Sequence, residues 1–175
     1  MPDGVPIQPK DRRGYFMLPQ APEDAGYYVY GTLHDVPGTG HLAQYAHPNL
    51  LTLIFQIERQ WQSMCDRKFG IGNISIDGGF AYDNHKSHQK GIEMDCRPVR
   101  KDYMTGQAAR CTYRDKEYDF EATTNLISLF VEHPWIKIAY FNDERVQTAL
   151  GGARVKSLIG HNNHFHVELW PRYGS

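Results

Sequence analysis

The sequence predicts an α+β fold: a mainly antiparallel sheet with helices packed on it, preceded by an extended Pro/Gly-rich N-terminal arm. Two observations carry this. Residues 1–48 hold seven of the ten prolines together with Gly4, Gly14, Gly26, Gly31, Gly38 and Gly40, a density that forbids long helices. Beyond them, helical and strand periodicities follow one another in no regular βαβ rhythm and with no repeat of 20–50 residues.

Each element has its own signal. The arm carries Tyr15, Phe16, Tyr27, Tyr28, Tyr30 and Tyr45, apolar area enough to dock from about residue 15 onward. Pro48 suits a first helical turn, and Leu50, Ile54, Ile57, Trp61 and Met64 recur at three- and four-residue steps, with Gly70 as the expected stop. Ile71 to Ile76 reads as a strand. A second helix is expected from about Asp119 to His133, with Leu126, Ile127, Phe130 and Val131 inward and Pro134 at its end. Ile136 to Tyr140 alternates as a strand. Asp143 can then cap a short helix through Leu150, closed by Gly151-Gly152.

The chain has 175 residues, 19 Lys and Arg against 20 Asp and Glu, and no basic block, which argues against a nucleic-acid binder. The apolar stretch Leu50 to Ile57 is too short to span a bilayer, and Met1-Pro-Asp-Gly-Val lacks the start of a secretory signal. The expectation is synthesis in the cytoplasm without a recognisable signal peptide and no transmembrane segment. Of three cysteines, Cys65 reads as a small core residue on a helical face, and Cys96 and Cys111 are a possible pair that spacing alone cannot establish.

Five of the nine histidines fall into two clusters, His85 and His88, then His161, His164 and His166; Asp95 follows His88 by seven residues. Residues 164–170 read as a strand with Phe165, Val167 and Leu169 on a core face and His164, His166 and Glu168 opposite. The same phase sets Ile92, Met94 and Cys96 against Glu93, Asp95 and Arg97. Two histidines and a carboxylate from such segments suit a divalent transition metal, and three protein ligands leave a position open for water, the catalytic pattern. Gly91 would let the backbone turn so that His88 and Asp95 reach one ion. His34, His41 and His133 read instead as ordinary surface or helix-end residues, and Glu93, Arg97 and Glu168 as solvated or supporting.

The pattern Ser87-His88 to Asp95, followed by His164-x-His166, resembles the zinc peptidases that group lysostaphin-type enzymes, D-Ala-D-Ala metallopeptidases and the hedgehog signalling domain. Within that group it is most similar to penicillin-insensitive murein endopeptidases, which show His-x-x-His-x6-Asp, here His85 to Asp95, and His-x-x-His-x-His, here His161 to His166. Ala46 to Leu50 and the run from His133 to Leu150 add to the likeness, which covers roughly residues 20–171.

The resemblance implies a single zinc metallopeptidase domain over 1–175, with an arm at 1–47 and a catalytic core at 48–171. It implies Zn2+ held by His88, Asp95 and His166, and His164 as general base or stabiliser of the tetrahedral intermediate. His161 and His85 match further active-site histidines. Asn163 stands where the dipeptidases place a glutamate base, so proton transfer would fall to a histidine. The implied substrate is a peptide cross-link of peptidoglycan, D-alanyl to meso-diaminopimelate or a related amide, met in the periplasm or at the cell wall, with Tyr82, Asn84 and Arg97 as guesses for the cleft lining. A phage lysin, a secreted antibacterial effector with its own immunity protein, and a periplasmic enzyme trimmed of its signal are the three contexts that fit. The alternative is a zinc-containing binding module of the hedgehog type. An iron oxygenase fits poorly, because the gap between His88 and Asp95 is too long for its usual His-x-Asp/Glu pair.

Overall fold

The computed structural model describes residues 10–20, 24–31, 43–82 and 87–175. Their elements are β1 (Phe16–Met17), β2 (Tyr27–Val29), β3 (Tyr45–Ala46), α1 (Pro48–Met64), β4 (Phe69–Ile71), β5 (Glu93–Arg97), α2 (Phe120–Glu132), β6 (Ile136–Tyr140), α3 (Glu144–Leu150), β7 (Val155–Lys156) and β8 (Phe165–Leu169). Six strands form one sheet in the order β2-β4-β5-β8-β6-β7, and β1 pairs with β3 in a separate antiparallel ribbon. The fold is α+β as expected. The three central pairings of the sheet are antiparallel, and only its outermost pairs, β2–β4 and β6–β7, run parallel. Among the described residues no helix is long and apolar enough to cross a membrane.

The helices form where capping and periodicity agree. His47 Nδ1 accepts the Asn49 N–H at 3.1 Å to cap α1, and Pro48 fills the first turn, where no intrahelical donor is needed. Leu50, Ile54, Ile57 and Trp61 are buried, but Met64 is 55% exposed, so the apolar stripe stops a turn earlier than expected. Cys65, half-buried, is the C-cap. Asp119 caps α2 through the Ala122 N–H, and Asp143 caps α3 through the Arg145 N–H. Gly151, at φ 83°, ends α3 in the left-handed region.

Two expectations are corrected, and the question left open for the cysteines is closed. Gly70 does not stop α1; it lies in β4 opposite Tyr28, where a Cβ would meet that ring at 2.8 Å. The strand expected over Ile71–Ile76 is only β4's last residue. Past Gly72 the backbone bonds elsewhere, Ile74 N–H to Ala43 O at 2.7 Å and Tyr45 N–H to Ser75 O at 2.9 Å. Cys96 and Cys111 are both buried free thiols, not a disulfide.

One sheet face packs on α1 and α2 through a run of aromatic rings: Trp61–Phe69 at 6.5 Å, Phe69–Phe130 at 6.3 Å, Phe130–Phe165 at 5.9 Å and Phe165–Phe141 at 6.3 Å between centroids. Phe165, Val167 and Leu169 of β8, with Met94 and Cys96 of β5, point into this core as their alternation predicts. The opposite face of β5 and β8 is therefore left for polar side chains.

Candidate metal centre and cleft

The register of β5 on β8 places Asp95 directly opposite His166, two neighbours on the polar face. Asp95 is fixed further by its own backbone, which donates to Asn73 O at 3.0 Å and accepts from Gly72 N at 2.8 Å. His88 arrives from the preceding turn. Its backbone is left-handed at φ 57°, its N–H donates to Glu93 Oε2 at 2.5 Å, and Gly91 at φ 65° completes the turn. A side chain at Gly91 would strike the Tyr15 ring at 2.8 Å and His47 N at 2.9 Å, so the turn that the sequence assigned to this glycine is built and tightly enclosed.

His88, Asp95 and His166 are all buried, each offers a donor atom within 4.8 Å of the others, and the three could hold a metal ion. The His88 tautomer fits one. His88 Nδ1 is 3.2 Å from the Ile74 carbonyl, which can only accept, so this nitrogen carries the proton and Nε2 is the inward donor. That Nε2 lies 3.2 Å from Asp95 Oδ1, His166 Nδ1 lies 2.8 Å from the same oxygen, and His164 Nε2 lies 3.8 Å from it. One buried carboxylate oxygen thus faces three imidazole nitrogens, which can answer it as hydrogen-bond donors or, around a cation, share it as fellow ligands. Burial alone would push the Asp95 carboxyl up, but the His88 charge and the His166 hydrogen bond outweigh it and hold it well below the carboxylate range. Burial would push His88 down; the Asp95 charge reverses this and raises it.

His161 and His164 form a second group with Asp95, on the more open side. Their rings lie 4.6 Å apart. His164 Nδ1 is 2.8 Å from Asn163 Oδ1 and His161 Nδ1 is 3.2 Å from Ile159 O, which leaves both Nε2 atoms as acceptors. Burial drives His164 down to about 4 and lowers His161 as well, so both are neutral near pH 7. Two sets of chemistry therefore meet here: buried donors for a cation, and beside them neutral imidazoles able to take a proton.

The structure brings His88, Asp95, His161, His164 and His166 together; His85, His34, His41 and Asn84 lie outside the described residues. A cleft of about 620 Å³ opens over the cluster, bounded also by Ser87, Tyr140, Leu158, Ile159 and Glu168. Tyr82 and Arg97 do not line it. Arg97 is 4% exposed, donates to the Gly106 and Gln107 carbonyls and stacks on Tyr30 at 4.0 Å, so it is neither solvated nor in the cleft. His133 caps the end of α2, accepting the Trp135 N–H at 3.2 Å, and burial lowers its pKa rather than letting it charge against the helix dipole.

Tyr140 is the lining residue that alternation hides. A bulge between Ile136 and Ile138 shifts the phase of β6, so Ile136 faces Leu169 and the core while Tyr140 pairs with His166. Its signal in the sequence is the lone tyrosine ending an apolar strand. No curated protein matches the chain in sequence. A family model of the penicillin-insensitive murein endopeptidases does, over residues 38–126, a span that includes His88 and Asp95 and ends before His161. That match takes in slightly more than half of the sequence, and the chain belongs to the penicillin-insensitive murein endopeptidase family.

Proposed function

We propose that the protein is a zinc-dependent peptidoglycan endopeptidase that hydrolyses peptide cross-links, at a D-alanyl to meso-diaminopimelate bond or a related amide. The observation that carries this reading is the convergence of three buried donors with two neutral histidines on one open cleft. His88 Nε2, Asp95 and His166 Nδ1 would hold the ion, two nitrogens and one oxygen from a fixed scaffold being a donor set that zinc accepts. A bound zinc supplies Lewis-acid polarisation of the scissile carbonyl and a water of lowered pKa. His164, neutral and with Nε2 turned inward, takes the proton of the attacking water and delivers one to the departing amine. His161, whose Nε2 is likewise an open acceptor, lies against the His164 ring and would offset the positive charge that a proton brings there, and His85 is assigned to the same machinery on the resemblance alone.

The test is digestion of purified cross-linked peptidoglycan with products identified by mass spectrometry, beside a chelator control and Asp95→Ala. Loss of dimeric muropeptides that depends on both metal and Asp95 is the expected result. Intact dimers at full metal occupancy would instead favour a binding module of the hedgehog type. Delivery as an antibacterial effector further predicts an immunity protein that covers the cleft mouth at Leu158–Gly160. Absence of any neighbouring gene product that binds and inhibits would favour a lysin or a periplasmic enzyme.

A further inference from the structure

The loop between β7 and β8 carries His161 and His164, and one residue outside it meets it at three points. That residue is Asn142, in the link from β6 to α3. Its Oδ1 accepts the Leu158 N–H at 2.9 Å, its Nδ2 donates to Asn162 Oδ1 at 2.9 Å, and its backbone N–H donates to His161 O at 3.0 Å. The amide has one orientation here. A backbone N–H can only donate, so the oxygen faces Leu158 and the nitrogen faces Asn162.

Asn142 is itself firmly seated. Phe141 is buried in the aromatic core, and Asp143 caps α3 and accepts the Tyr118 hydroxyl at 2.9 Å. Gln147 of α3 adds a tie to the base of the loop, donating to Phe141 O at 2.8 Å and to Ser157 Oγ at 2.9 Å. Tyr113, whose ring meets Phe141 at 6.1 Å, donates its N–H to Asn162 O at 3.1 Å. Within the loop, Gly160 is left-handed at φ 93° and the His161 N–H returns to Leu158 O at 3.2 Å. The His161 ring then lies 4.6 Å from that of His164, so a shift at Leu158 or Asn162 reaches both imidazoles. The buried donors have separate supports: Asp95 and His166 sit on paired strands, and His88 on the turn at Gly91.

We propose that Asn142 is a positioning residue for the proton-transfer side of the site, clamping the loop that aims His161 and His164. The inference rests on the peptidase reading above and adds to it a residue that does not line the cleft. A proton passes between water, imidazole and leaving amine only at hydrogen-bond distance, so turnover depends on where this loop is held. Retention of the ion does not.

The full-length, zinc-loaded protein and purified muropeptide dimers test the assignment. Asn142→Ala should keep its zinc, read by elemental analysis, while kcat falls about tenfold or more and KM moves less. Amide exchange, read by nuclear magnetic resonance, should quicken at Leu158 and stay unchanged at Val167 in the core. Asn142→Asp keeps the acceptor for Leu158, and the Asn162 amide can turn over to donate to it, so most of the rate should return. Asn162→Asp still accepts from Asn142 and should also be tolerated. The two together set carboxylates face to face and should lose as much rate as Asn142→Ala, a pattern that general loss of fold does not produce. Should Asn142→Ala not fold, Asn162→Ala removes one of the same bonds from the exposed side. A wild-type kcat in the alanine variants, unchanged exchange at Leu158, independent effects of the two aspartates, or zinc lost in step with rate would overturn the clamp and leave the peptidase reading standing. A wild type that cleaves no dimer would overturn the peptidase reading itself, and the assignment with it.

Discussion

Asp95 is the residue on which the site turns, since a single oxygen of its carboxylate meets His88, His166 and His164. Its neighbours divide by environment: His88 and His166 are buried, whereas the His164 side chain is 25% exposed to the cleft. If His164 moves protons and does not hold the ion, His164→Ala should keep its zinc, read by elemental analysis, while turnover falls about 10²–10⁴-fold. A normal rate in that variant would remove it from the mechanism. Gly91 gives a prediction of a different kind. At φ 65° and in contact with Tyr15 and His47, Gly91→Ala should cost more than about 1 kcal/mol in urea unfolding and loosen the turn that presents His88. Most of these residues were legible in the sequence, because strict alternation at 92–97 and 164–169 separates core from cleft without any knowledge of the fold. Arg97 was not. Its phase is polar, but a later loop supplies the carbonyls of Gly106 and Gln107 that let a guanidinium be buried, and no local pattern announces a partner ten residues away.

Among the elements, α2 and α3 stand where their caps and stops placed them, because those signals act over one helical turn. Apart from Met64, which is exposed at the end of α1, the misreadings lie where other segments of the chain intervene. Residues 73–75 left β4 to bond the segment before α1, Gly70 proved to be a seat for the Tyr28 ring, and the β6 bulge reversed the faces of half a strand. The cap of α2 is testable. Asp119 accepts the Ala122 N–H at 2.9 Å and pairs with Arg67 at 2.8 Å, so Asp119→Ala should lose about 1–2 kcal/mol, while Asp119→Asn should keep the cap and lose only the charge. Burial opposes ionisation of Asp119, but the Ala122 and Arg67 hydrogen bonds outweigh it and lower its pKa in the folded state. Its contribution is therefore present above the ordinary carboxylate value and disappears as pH falls through the lowered one. As pH falls below about 4, stability should drop less steeply in Asp119→Asn than in wild type, measured by thermal unfolding over a pH series.

Across the whole molecule, the N-terminal arm reaches the site through Arg13. Oriented by Asp11, its guanidinium donates to Gln89 O at 2.6 Å, Ser75 Oγ at 2.9 Å and Ile76 O at 2.9 Å, so residue 13 braces the segment that follows His88. We propose on this ground that arm and core are one cooperative unit: a single unfolding transition is expected by both far-ultraviolet dichroism and tryptophan fluorescence, and two resolved transitions would divide them. Arg13→Ala should cost roughly 2 kcal/mol and weaken zinc affinity together, whereas loss of stability with unchanged affinity would confine the arm to a structural part. The pairing of Asp95 with His166 has a further meaning for how the chain assembles. Were β8 to slip by one residue against β5, Phe165 or Val167 would stand where His166 does, and the carboxylate would be pressed against hydrocarbon with no imidazole to answer it. The cross-strand pair thus acts as a key for strand alignment: the carboxylate meets its imidazole only in the one alignment that also fills the aromatic interior, and a misaligned sheet is penalised on both faces at once.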